Sequence, residues 1–343
     1  MKKSLFVLGV AVAALASCTN EEVTEVAQNR AIGFNSFVNN NTKAVTEVSS
    51  LANSEFYVFG MYDADQTTWG KTVFSNELGS TVHYWEPSSY YRFGAYADGA
   101  AGDLATATAV SFAAGTGTNG TLTFTSYTPD DAKDLVAAVA SASTGADVSS
   151  QDAVSLNFKH MLSQVAFEFT TDAADHYTLV ISNVKINNAV SKATGTYDGS
   201  VSWPTPEESK GYTYEDFAVD KNVDIANSAQ NYTASQTKLV IPQDGTDALT
   251  VTFTATLSDT NYPSNPTKTK NFTGYLSFSG TDKNDPDISL AENTWTPGYR
   301  YKYTTKITAD MIDDELKDKK IEFTTSVDSW KDATDTTITP SAN

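Results

Sequence analysis

The sequence is short of most groups that do chemistry. Its 343 residues include one cysteine, Cys18, so no disulfide can form within the chain and stability must come from burial and sheet pairing. Its histidines are His83, His160 and His176, and no HExxH, Gly-x-Ser-x-Gly, phosphate-binding loop or Cys-x-x-Cys is present. Basic residues are few: 23 Lys and Arg face 42 Asp and Glu, for a net charge of -19. Such a surface repels nucleic acid phosphates and anionic lipid heads. After Cys18 no apolar run approaches the ~18–20 residues of a membrane helix. The oxygen ligands Asp282, Asn284, Asp285 and Asp287 lack the spacing of a known calcium loop. These absences argue against an enzyme, a metal site and a cofactor. Helical pattern is scarce too, confined to Asp131–Ala142 and Ala309–Lys319.

What the chain has in quantity is strand pattern. Thr, Val, Ile, Phe and Tyr alternate with polar residues at period two, as in 121–124, 165–169, 249–253, 299–307 and 321–327. Asn119-Gly120, Asp198-Gly199, Asp244-Gly245 and Pro297-Gly298 supply turns. This predicts an all-β chain of antiparallel β-sandwich domains in tandem, with few short helices. The small, polar stretch Ser141–Ala153 reads as the boundary, giving an N-terminal domain over 31–150 and a C-terminal one over 151–343. His160, between Phe158 and Leu162, reads as a hydrogen-bonded core histidine.

At the amino terminus, Lys2-Lys3, the apolar run Leu5–Leu15 and the small residues before Cys18 have the outline of a secretory signal over 1–17. Leu15-Ala16-Ser17-Cys18 resembles the bacterial lipobox. The resemblance implies that Cys18 carries diacylglycerol and fatty acyl chains such as palmitate, and tethers the protein to the membrane through residues 18–30. Glu21-Glu22 after that cysteine resemble the surface-export signal of Bacteroidetes lipoproteins, which implies outward display on the outer membrane. The plainer alternatives are an ordinary secretory signal and a generic polar tether.

Several separated stretches together resemble the fimbrillin family, the pilins of Bacteroidales type V pili. They are Ile32-Gly33-Phe34, Thr42-Lys43-Ala44, Phe56–Tyr62, Val82–Pro87, Tyr91–Ala97, Asp134-Leu135-Val136, Leu156–Phe167, Lys238–Gln243, Trp295–Gly298 with Tyr301-Lys302-Tyr303, and Val327–Trp330. The resemblance implies two transthyretin-like β-sandwich domains and a structural or adhesive role in a fimbrium. It further implies a lipidated precursor cut by an extracellular trypsin-like protease, loss of the first strand, and its replacement by a terminal strand of another pilin subunit.

In this sequence the candidate first strand is Ala31–Val38, with Ile32, Phe34 and Val38 on one face. The polar loop behind it, Asn39–Ala44, holds one basic residue, so the expected cut is Lys43-Ala44. The family's best-known cut follows an arginine, and a lysine at the matching position leaves arginine specificity open. Arg30-Ala31 is a second possible cut that would not release the strand. The candidate donor is the tail Lys331–Asn343, whose 13 residues reach ~43 Å at ~3.3 Å each. Its aliphatic residues are only Ala333, Ile338 and Ala342, and Pro340 interrupts pairing. The other reading is a stand-alone surface lipoprotein that binds glycan or host protein, with Trp69 and Trp203 as the candidate contact residues because aromatic faces stack on sugars and partners; the plainer alternative for both is partial burial in the core.

Overall fold

The computed structural model describes residues 30–38, 51–98, 109–219, 237–278, 280–282, 287–312 and 323–329. Cys18, the signal and tether before Arg30, Lys43, Ala44 and the tail Lys331–Asn343 lie outside the described residues.

In chain order come β1 (Phe34–Val38), β2 (Tyr57–Asp63), β3 (Lys71–Leu78), β4 (Tyr90–Asp98), β5 (Ala109–Ala113), β6 (Thr121–Tyr127), β7 (Leu135–Ser143) and β8 (Val154–His160). Then follow β9 (Ser163–Thr170), β10 (Tyr177–Asn187), β11 (Lys192–Tyr197), β12 (Val201–Glu208), β13 (Tyr212–Thr213) and β14 (Phe217–Ala218). The last are β15 (Thr237–Val240), β16 (Thr250–Asp259), β17 (Lys268–Tyr275), β18 (Tyr299–Lys306), the single helical turn α1 (Ala309–Ile312) and β19 (Thr324–Ser329). The predicted helix over Ala309–Lys319 is present as α1, and 313–319 fall outside the described residues.

A six-stranded sheet runs β1-β8-β7-β4-β2-β3, and β12-β11-β6-β5 lies across one of its faces. Tyr96, Leu135 and Ala137 of the larger sheet share a core there with Leu122, Phe124, Ala193 and Tyr197 of the smaller. The opposite face of the larger sheet has its own core of Phe34, Val58, Phe74, Phe93, Val136, Ala138, Leu156 and Phe158. A sheet buried on both faces loses the apolar–polar alternation of a half-exposed one. That is why β7 overturns the helical expectation for Asp131–Ala142. Leu135 and Ala137 face one core, Val136 and Ala138 the other, and the resulting Leu-Val-Ala-Ala run has helical composition without helical geometry.

A second pair of sheets, β13-β10-β16-β17 (with β14 also on β10) and β15-β9-β18-β19, encloses a core that includes Val165, Phe167, Ile181, Phe253, Trp295, Tyr301 and Tyr303. Here alternation is clean. In β16, Val251, Phe253, Ala255 and Leu257 are buried and the intervening threonines are half-exposed. The two sheet pairs adjoin at Met161, Leu162, Leu239 and Ile241, which join the core under β6 and β7. Hydrogen-bonded ladders cross residue 150: β8 pairs with β1 and β7, and β11 pairs with β6. Ser141–Ala153 therefore connects strands of one sheet and does not separate two sheets.

Gly94, in the middle of β4, marks how closely the first pair of sheets packs. A Cβ there would stand 2.5 Å from the Phe112 ring and 3.0 Å from Leu122. Gly94→Val should force the sheets apart and cost about 1–3 kcal/mol, measured by denaturant unfolding.

Candidate functional site

The first described segment, Arg30–Val38, is a strand with two partners. Its second half, β1, runs parallel to β8, with Phe34 opposite Val154 and Val38 opposite Phe158. Val154 N donates to Gly33 O at 2.8 Å. Its first half turns to residues 83–85: Ile32 N donates to His83 O at 2.8 Å, and Trp85 N donates to Arg30 O at 3.0 Å. One strand thus joins the edge of β8 to the segment that follows β3.

Alternation sets what it buries. Ile32, Phe34 and Val38 are 5%, 6% and 4% exposed, while Phe37 on the other face is 56% exposed. The Phe34 ring lies 6.0, 5.4 and 5.6 Å from the rings of Phe56, Phe74 and Phe93. Phe74 sits on β3, the far edge of the same six-stranded sheet. The sheet has therefore coiled until side chains of its two edge strands meet, and β1 closes the coil. Each such apolar side chain contributes about 1.5–3 kcal/mol on burial. The three together rival the ~5–15 kcal/mol net stability of a domain.

The seat at residues 83–85 is held from below. The His83 ring packs on Phe74 at 4.4 Å, and His83 Nε2 meets Glu77 Oε2 at 2.9 Å. The hydrogen bond from His83, with a further one from Ser75 N, holds the Glu77 carboxyl below the usual carboxylate range. Trp85 is buried edge-on against Tyr91 at 4.7 Å. The Tyr91 phenol, pushed up to about 12 by burial, accepts from Glu86 N at 2.6 Å. At the far end of β8, His160 Nδ1 stands 2.8 Å from Asp134 Oδ2, both buried. In the distal motif, Trp295 Nε1 donates to Tyr303 Oη at 3.1 Å, so those aromatics also serve the core.

The structure does not bring the sequence-predicted ligand residues together. Trp69, in the turn between β2 and β3, is 5% exposed and its ring is covered by the Arg92 guanidinium at 4.6 Å. That placement matches the alternative of core burial. Trp203 on β12 is half-buried beside an open cleft. Sequence reasoning did not find β8 and residues 83–85 as the partners of the first strand. The Val-Ser-Leu-Asn-Phe-Lys-His alternation of β8 announces a strand, but nothing in it announces a parallel neighbour 120 positions earlier, the separation of Val154 from Phe34 (154 − 34).

Phe34→Ala should cost about 3–5 kcal/mol of stability. Phe37→Ala should stay within about 0.5 kcal/mol, both by denaturant unfolding. Because folding lowers the Glu77 carboxyl, its contribution is present above the ordinary glutamate value of 4.5 and lost as pH falls through the lowered value. Glu77→Gln should remove that part of the acid dependence in unfolding curves recorded across the same range.

The sequence profile of the fimbrillin-like family matches residues 19–330. No curated protein matches the chain. Among solved structures, a fimbrial protein from Bacteroides vulgatus superposes with a TM-score of 0.54 at 18% identity, covering 88% of this chain and 100% of that one. A fimbrilin from Porphyromonas gingivalis gives 0.41 at 11% identity, over 88% of this chain and 97% of that one. A candidate cell adhesion protein from Parabacteroides distasonis gives 0.46 at 12% identity, over 88% and 96%. The Bacteroides vulgatus structure shares the β-sandwich fold, and the profile match spans most of the sequence. The chain belongs to the fimbrillin-like family.

Proposed function

We propose that this protein is a structural subunit of a cell-surface fimbrium whose first strand is a temporary occupant of its own fold. Family membership supports a fimbrial or adhesin subunit that works at the cell surface with other pilin subunits. The finer steps are those that the family resemblance implies for this sequence. The precursor is exported as an outer-membrane lipoprotein through Cys18, cut at Lys43-Ala44, and joined to its neighbour by strand replacement.

The observation that carries this reading is the seating of Arg30–Val38. Its side chains fill a core and its backbone completes two ladders. Removing it exposes unpaired N–H and C=O groups on β8 and on 83–85 beside an apolar slot. Both defects are mended together by another strand. Repeated head to tail, that exchange yields an open fibre, because the interface does not close on itself. The tail Lys331–Asn343 is the donor candidate within this sequence, and a related subunit is the other source.

Amino-terminal sequencing of protein sheared from cells, with electron microscopy of the same fraction, tests the reading. Fibres should contain chains beginning at Ala44, and Lys43→Ala should leave uncut, unassembled lipoprotein. Fibres built of chains that keep Ile32 and Phe34 would overturn it.

A further inference from the structure

A cleft of about 510 Å³ opens beside β12, where that strand meets the loops around Gln243 and Trp295. The volume falls within the ~300–1,000 Å³ of small-molecule sites. Its walls are preformed. Trp295 N donates to Gln243 O at 2.9 Å, and Asp244 bridges Thr294, so the two loops are tied to each other.

The central feature is the Trp203 indole. Its Nε1 donates to Met161 O at 2.9 Å, which fixes the ring and consumes its only polar group. One face lies on Gly195, where a Cβ would come within 2.5 Å of Cε3. The ring lines the cleft together with Pro204, Pro242 and Pro297. Gln243 and Asp244 stand beside it. The Gln243 Oε1 accepts from Val190 N at 2.7 Å, which leaves the amide hydrogens as donors toward a ligand. The exposed Asp244 carboxylate is an acceptor of hydroxyl hydrogens.

A flat aromatic surface, C–H-rich prolines and a carboxylate–amide pair are the partners of a sugar ring, which offers one apolar C–H face and a rim of hydroxyls. A peptide adding as a strand is a poor occupant, because Pro204 and Pro206 deprive this stretch of β12 of backbone donors. An anionic sugar is poor too, given Asp244 and a net charge of -19. We infer that the Trp203 cleft is a binding site for a neutral oligosaccharide, with Trp203 as the stacking platform and Asp244 and Gln243 as hydroxyl partners. The site is separate from the strand-exchange slot and does not depend on it.

Saturation-transfer NMR on the uncut full chain tests this, with lactose, cellobiose, chitobiose and mannobiose as probes and 3′-sialyllactose as the anionic counterpart. At least one neutral disaccharide should receive saturation, concentrated on the C–H protons of one ring face, and lactose should bind more tightly than its sialylated form. Trp203→Ala should weaken binding about tenfold or more. Asp244→Ala, at an exposed position that leaves folding intact, should weaken it several-fold. No transfer to any of the four neutral probes, binding unchanged in Asp244→Ala, or tighter binding of 3′-sialyllactose would each overturn the assignment.

Discussion

The structure depends on a six-stranded sheet whose central strands β4 and β7 are buried on both faces and which is coiled far enough for its edges to approach each other. One face is covered by β12-β11-β6-β5. Among the described residues, the other is covered by what the coil folds over itself together with Leu51, Trp85 and Val148, and Phe34 sits where the edges meet, among Phe56, Phe74 and Phe93. The segment Arg30–Val38 thus does two jobs. It supplies the apolar side chains that fill the coil, and it satisfies the backbone of β8 on one side and of residues 83–85 on the other. Buried backbone groups need partners as much as cores need filling. A strand that meets both needs at once is hard to lose and easy to replace by another strand of the same pattern.

Two other edge strands carry residues that oppose pairing. The outer strand β12 carries Pro204 and Pro206, which cannot donate to an added strand. The edge strand β17 carries Lys268 and Lys270, and charged residues of that kind blunt edge-to-edge pairing. In the proposed exchange, the site of the first strand is where an apolar slot and a free ladder would open together.

Much of this was legible in the sequence. The half-buried strands, such as β8 and β16, declare themselves by alternation, and Ile32, Phe34 and Val38 could be assigned to one inward face from spacing alone. What was not legible has one physical cause. Where a sheet is buried on both sides, pattern ceases to report geometry, so the Leu-Val-Ala-Ala run of β7 reads as helix. Pairing between distant segments leaves no local trace either. The polar stretch at 141–153 looks like a domain boundary because the parallel match of β1 with β8 and the antiparallel match of β6 with β11, which cross residue 150, leave no mark in it; it joins two strands of one sheet. The burial of Trp69 leaves no local trace for a related reason: its neighbours in sequence are polar, and Arg92, which covers its ring, comes from another strand.

The central claim is that Arg30–Val38 occupies a site from which it can be removed and to which a strand can return. The most direct measurement places a site-specific protease sequence at Lys43-Ala44, cuts the folded chain, and follows amide hydrogen exchange at 154–158 and 83–85. After release, those amides should lose protection, and a synthetic peptide of residues 30–38 should bind saturably and restore it. Unchanged protection after the segment has left, or no restoration by the peptide, would contradict the account.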